Sequence, residues 1–370
     1  MKMMKNNRLI IGTFVILFVV FSCGGSASDT SRQDEHDVQT HQKITVNTVQ
    51  YEHVFGDDRP FAQCHASTMI PLGGEEYLVA WFAGSHEKND DVGIWTAKGK
   101  PGNWSEPELL VKVRNDPHWN PVLFQAPDDK VYLFFKVGKE IDYWETWVQV
   151  SEDGGDSWSE ARELVPGDKG GRGPVRNHML VLSDGTWLAP ASDEKNKVWT
   201  VFVDRSEDGG KTWEATDKLE MDRNEISGEG VIQPALWESK PGHVHMLMRS
   251  SSGNICRSDS EDYGKTWSPV EEISLPNNNS GIDVAHLGGE KVAVIYNPVS
   301  ENWGARYPIS VSVSLDNGHT WGPKFDIEKG KGEEDELSYP AMFYEDGNLV
   351  ACYTWNRQRV AFWKGKLEGI

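Results

Sequence analysis

The sequence predicts an all-β fold, a six-bladed β-propeller of four-stranded antiparallel blades, on three observations. The first is an internal repeat. SEDGGDSW at Ser151, SEDGGKTW at Ser206, SEDYGKTW at Ser260 and SLDNGHTW at Ser314 begin 54 or 55 residues apart. The degenerate GKPGNWSEP carries the period one step back, so Trp104, Trp158, Trp213, Trp267 and Trp321 share one spacing. Such a period marks a repeat architecture rather than separate domains. The second observation is that each period holds three strand-like runs: Pro121–Phe124, Val131–Phe135 and Thr146–Val150 in one, Met179–Leu182, Thr186–Ala189 and Val198–Val203 in the next. The segment after each Trp adds a fourth, and no helical period intervenes. The third is the count of inner-strand starts, six in all, at His65, Asn120, Asn177, Gln233, Gly281 and Tyr339. The last period stops after Lys366 without its turn motif, so Ile44–Phe55 is expected to supply the missing outer strand and close the ring.

Each motif reads as a turn between strands: Ser and Asp side chains bond nearby backbone N–H groups, Gly takes positive φ, and the Trp packs into the strand that follows. Such a turn satisfies its own carboxylate, and EF-hand ligand spacing is absent, which argues against calcium. The 57 acidic residues outnumber the 37 basic ones, giving a net charge of -20. That balance speaks against a nucleic-acid binder, which needs clustered Lys and Arg for phosphates. The 16 Trp residues exclude a disordered chain. At the N-terminus, Lys2, Lys5 and Arg8 precede the apolar run Leu9–Phe21, too short to span a bilayer. Phe21-Ser22-Cys23-Gly24 then reads as a lipoprotein cleavage site, with Cys23 lipidated; an ordinary cleaved signal is the alternative. The organisation expected is a signal peptide over 1–22, a polar tether over 23–43 and the propeller over 44–370. The chain would be an outer-membrane lipoprotein on the periplasmic or cell-surface side, a monomer touching the membrane through its lipid alone. Cys64, Cys256 and Cys352 form no disulfide framework, and no Cys or His pair has zinc spacing, so neither metal nor cofactor is expected.

Four SxDxGxTW-type turns in a six-bladed reading resemble the sialidase (neuraminidase) superfamily over essentially all of the chain after about Tyr51. The resemblance implies a site at the mouth of the central funnel, with three arginines on the substrate carboxylate, a tyrosine nucleophile paired with a glutamate, and an aspartate acid/base. Arg249 in HMLMRSSSG matches the second arginine and Arg306 in ENWGARYPISVSVS the third. Tyr339 in LSYPAMFYEDGNL matches the tyrosine, and Asp91 in KNDDVGIW is the nearest counterpart of the aspartate. Two positions depart from the pattern. Cys64-His65-Ala66-Ser67 stands where the first arginine belongs, and Val231-Ile232-Gln233-Pro234 places an amide where the glutamate belongs.

Two arginines at one funnel make a carboxylate clamp, to which Lys136 at the end of VYLFFKVG is expected to add charge. An acidic sugar fits such a clamp. In a uronic acid, neutralising the carboxylate lowers the cost of the enolate-like transition state, and β-elimination then needs a base at C5 and an acid at O4. His65 and Tyr339 suit those roles, imidazole because it titrates near neutrality and the phenol because two arginines lower its pKa. Asn120, His178, Gln233 and Asp283, near inner-strand starts, are candidates for sugar hydroxyls. Trp303 and Trp355, in the irregular loops ENWGAR and TWNRQR, are candidates for stacking on a ring. The leading reading is a carbon–oxygen lyase or dehydratase that acts on a terminal uronic acid of an oligosaccharide and leaves a 4,5-unsaturated sugar. The alternatives are an exo-glycosidase with Asp91 as acid and Tyr339 as nucleophile, and a non-catalytic glycan-binding lipoprotein.

Overall fold

The computed structural model describes residues 43–370, and within them the chain forms six antiparallel sheets. The predicted signal peptide, Cys23 and all of the tether but Lys43 lie outside the described residues. Blade two, His118–Gln125, Val131–Val137, Glu145–Ser151 and Arg162–Glu163, contains all three strands read from its period. Blade three has an inner strand of only two residues, Leu180–Val181, followed by Trp187–Asp193, Thr200–Ser206 and Glu214–Ala215. Blades four and five run through Val231–Pro276 and Asp283–Glu328 with four strands each. Blade one has a divided outer edge, because Asn103–Trp104 and Glu108–Val111 both pair with Gly93–Lys100.

Blade six closes the ring with both ends of the propeller. Leu337–Glu345, Asn348–Trp355 and Arg359–Glu368 are joined by Thr45–His53, which pairs antiparallel with Arg359–Glu368. Trp363 Nε1 adds a bond of 2.9 Å to Thr48 Oγ1. Deleting Thr45–His53 would expose the N–H and C=O groups of Arg359–Glu368, and unpaired edges recruit other chains. The expected outcome is a lower melting temperature and association on size exclusion. An unchanged melt and elution volume would contradict the closure.

The apolar core is partitioned rather than central. Six buried clusters sit one at each blade–blade interface: Trp81 and Phe362 lie between blades one and six, and Trp237 and Ile282 between four and five. The inner strands consequently present polar residues to the axis. Each full repeat turn bonds to itself. In the first, Gly155 N–H donates to Ser151 Oγ at 2.8 Å and Ser157 N–H to Asp153 Oδ1 at 2.8 Å; Trp158 Nε1 reaches Gly155 O at 3.1 Å. Asp208, Asp262 and Asp316 accept the same backbone bond at 2.9, 2.9 and 2.8 Å. Trp321 departs from the pattern, its Nε1 being buried without a partner. These turns join the third and outer strands, which fixes the blade edges and leaves the funnel to other residues.

Candidate functional site at the funnel mouth

The inner strands are bulged where they begin. Ala66, Asn120, Gln233 and Tyr339 have φ of 56°, 39°, 54° and 52°, and strand register slips there in blades one, two, four and six. Bulges re-aim side chains, and left-handed non-glycine backbone is a costly conformation that persists where the surroundings enforce it. Asn120, Gln233 and Tyr339 project into one cleft of about 270 Å³. In blade one the small Ala66 takes the bulge position, and His65, one residue earlier, lines the cleft instead. The volume lies just below the roughly 300 Å³ at which small-ligand pockets begin, which suits one sugar ring rather than a chain.

Tyr339 is the centre of the cleft. Arg249 Nη1 donates to its hydroxyl at 2.6 Å and to Gln233 Oε1 at 3.2 Å, while Arg249 Nε donates to Asn279 Oδ1 at 2.7 Å. These bonds leave Arg249 Nη2 without a protein acceptor among the described residues. Burial raises the phenol's pKa, but Arg249 and Arg306 beside it outweigh burial and hold it below the ordinary value. The His65 ring packs on the Tyr339 ring with centroids 4.2 Å apart. His65 Nδ1 lies 3.0 Å from Thr354 Oγ1 and 3.8 Å from Glu336 Oε1, and Nε2 has no partner among the described residues. Burial, reinforced by Arg357, pushes this imidazole well below 6.5. It is therefore neutral at pH 7, which corrects the expectation that it titrates near neutrality.

A third guanidinium completes the clamp from an unexpected place. Arg357 follows the second strand of blade six and lines the cleft with Arg249 and Arg306. Glu336 orders two of the three, accepting from Arg306 Nη1 at 2.7 Å and from Arg357 Nε at 2.7 Å, and Arg357 also pairs with Glu87. Although burial raises it, the adjoining His65, Arg306 and Arg357 together hold the Glu336 carboxyl far below the usual range. Three guanidinium groups and Lys88 thus face Glu87, Glu194 and Glu336, and the cleft keeps a positive excess on an acidic protein. Arg249 is also flanked by Trp199 and Trp303, each ring centroid 5.5 Å from its Cζ.

The structure brings His65, Tyr339, Arg249, Arg306, Asn120, Gln233 and Trp303 together, and it places five predicted site residues elsewhere. Asp91 is exposed on a neighbouring groove, where it accepts from Ser85 N and Oγ at 2.8 and 2.9 Å. Lys136 is fully buried, its Nζ bonded to Thr146 Oγ1 at 2.7 Å, Arg172 O at 3.0 Å and Gly171 O at 3.2 Å; burial lowers its pKa to about 7. It braces the 171–173 loop instead of meeting substrate. Lys136→Met is expected to leave buried carbonyls unbonded and to cost about 3 kcal/mol or more in thermal denaturation. Asp283 is buried, accepting from Met342 N at 2.8 Å, and His178 Nε2 sits 3.2 Å from its Oδ2 without hydrogen-bond alignment. Trp355 packs at a tilt against His53 and donates to Glu328 Oε1 at 3.0 Å, away from the cleft. The expectation for Asp91 rested on the family resemblance and that for the other four on nearness to strand ends or loops, neither of which fixes which way a side chain points.

Sequence reasoning missed Arg357, Glu336, Glu194 and Trp199. Arg357 stands in the same TWNRQR loop that drew notice to Trp355, so an unclaimed arginine there was the available signal. Glu194 precedes a short 3₁₀ turn, Lys195–Lys197, and lines the cleft; burial raises its pKa to about 7. Nothing in its local sequence distinguishes it from other surface glutamates. A Ser239–His245–Asp259 chain on blade four, with contacts of 2.8 and 2.6 Å, has the order of a nucleophile relay. Asn317 Nδ2 meets the same imidazole nitrogen at 2.7 Å and Arg257 pairs with Asp259, so the chain is closed on itself as a blade-edge brace.

Comparisons with known proteins agree with this architecture. A sialidase of Bacteroides fragilis is 26% identical over 236 residues, covering 60% of this chain and 41% of its own length; the chain thus spans about two fifths of that relative. A protein of unknown function from Dyadobacter fermentans superposes with a TM-score of 0.71 at 18% identity, over 87% of this chain and 99% of that one. A Hadza microbial sialidase gives 0.71 at 14% identity, over 86% and 68%, and a sialidase from Streptococcus pneumoniae gives 0.64 at 15%, over 86% and 70%. At such identities the superpositions speak to fold alone. Residues 75–352 match the BNR repeat-like domain family, and with its repeat turns and six blades the chain belongs to that family, among the sialidase-like propellers.

Proposed function

We propose that the chain is a carbohydrate-active enzyme that binds a terminal uronic acid and removes its C4 substituent by β-elimination. The observation that carries this reading is Tyr339, its hydroxyl 2.6 Å from Arg249 Nη1 and its ring packed against that of His65, in a cleft with three guanidinium groups. The sugar carboxylate would meet Arg249 Nη2 and the free nitrogens of Arg306, and its neutralisation acidifies the neighbouring C5–H. A phenol lowered by arginines supplies the phenolate that removes this proton; His65, which burial keeps uncharged, offers Nε2 to the same face of the ring. Asn120, whose amide bonds to nothing else among the described residues, is placed for a hydroxyl.

Hydrolysis by the sialidase pattern finds less support. Asp91, the expected acid, is turned away at Ser85, and Gln233 cannot accept the tyrosine's proton. The test is incubation of the protein with oligosaccharides carrying a terminal uronic acid. Ultraviolet absorbance of a conjugated enoate is the expected result; release of an intact sugar without that absorbance would sink the elimination reading.

A further inference from the structure

We propose that Glu194, backed by a one-water chamber, is the proton donor for the leaving oxygen, and that the enzyme therefore prefers uronic acids whose C5–H and C4–O lie on opposite faces of the ring. The inference rests on the elimination reading above and adds the acid, the stereochemistry and the substrate class.

Glu194 belongs to blade three, whereas Tyr339 belongs to blade six, and in a ring of six those blades face each other across the axis. Both residues line the same cleft. A sugar whose ring stands upright between the two blades would have the phenolate on one face and the carboxyl on the other. The Glu194 carboxyl makes no hydrogen bond to the protein among the described residues, so it is free for a ligand or water. Behind it lies a chamber of about 10 Å³ that shares Ile141, Trp144 and Glu194 with the cleft. Two buried polar atoms on its lining residues, Trp144 Nε1 and Ser192 Oγ, have no partner among the described residues. A polar void of that size holds one water and orphaned buried groups call for one. The charged groups around Glu194 are Arg249, Asp142 and Asp193, and Lys136 also lines the chamber.

The step balances without an oxidant or reductant. The base takes the C5 proton, its electron pair forms the C4=C5 bond, the C4–O4 bond breaks, and O4 leaves with the proton of Glu194. The resulting carboxylate regains a proton from solvent through the chamber water. Donor and base on opposite faces make this an anti elimination, which a galacto-configured uronoside permits. In a gluco-configured one, O4 and H5 share a face.

The experiment uses two uronosides that differ only at C4, galacto and gluco, with wild-type protein and Glu194→Gln, and reads enoate absorbance. The expected result is at least about a tenfold preference for the galacto probe, and roughly a 100-fold loss in Glu194→Gln. Preference for the gluco probe, or a Glu194→Gln variant as fast as wild type, would overturn the inference and leave elimination standing; absorbance from neither probe would overturn both. A second readout needs no substrate. A carboxyl whose folded pKa is raised loses stability as pH climbs from its unfolded value through its folded one. Glu194→Gln should therefore melt with wild type at pH 4 to 5 and above it at about pH 8. Equal melting at both pH values would remove the protonated donor.

Discussion

Tyr339→Phe should abolish enoate formation, by roughly 100-fold or more, while leaving the melting curve nearly unchanged. The substitution deletes one oxygen. The ring remains packed on His65 at 4.2 Å, and Arg249 keeps its bonds to Gln233 and Asn279, so the pocket keeps its shape and its charge. What disappears is the phenolic oxygen, whose ionisation Arg249 and Arg306 favour. Because Arg249 and Arg306 lower the phenol's pKa against burial, the active phenolate grows as pH rises toward that pKa, and the wild-type rate should rise with it until the Glu194 donor ionises at about 7. His65→Ala should also slow turnover by about 100-fold, and the double variant should be little worse than either single one, since both act on one proton transfer. A Tyr339→Phe variant that retains wild-type turnover would assign the base elsewhere.

The blades were legible and the site was only partly so, for one physical reason. A propeller repeats its backbone, so Ser151, Ser206, Ser260 and Ser314 announce the period wherever their turns recur, and the unpaired last period announces the ring closure by Thr45–His53. A funnel site is built from what does not repeat. Arg249, Arg306 and Tyr339 were found through their motif contexts, and His65 because it stands where a motif fails. Arg357 was missed because it reaches the clamp from blade six rather than from the first inner strand. Lys136 shows the converse: a lysine at a strand end is spent on Arg172 O and Gly171 O, and only the fold of the 171–173 loop reveals it. The bulges at Asn120, Gln233 and Tyr339 carry no glycine to advertise their positive φ, so the direction of these side chains was not readable from residue type.

Arg249→Ala should cost about 2 to 5 kcal/mol of transition-state stabilisation toward a carboxylated substrate, the range for removing one partner of a desolvated charge pair. Arg249 is the clamp arginine that bonds the phenol directly, while Arg306 lowers its pKa through charge alone. Arg249 offers Nη2 to the substrate carboxylate, and through Nη1 it lowers the pKa of the Tyr339 phenol. Arg306 and Arg357 are anchored to Glu336 instead, so removing either takes charge from the clamp and leaves the phenol its 2.6 Å contact. The distinction has a measurable form. Arg357→Ala should raise KM with a smaller change in kcat, whereas Arg249→Ala should lower kcat and shift the rise in rate to higher pH. Arg249→Lys should recover little of either, because a point charge on a flexible stem cannot hold Tyr339, Gln233 and a carboxylate at once. Equal rates of wild type and Arg249→Ala on the uronic acid, or equal wild-type rates on that acid and its carboxyl-reduced counterpart, would show that the cleft does not act through a carboxylate clamp.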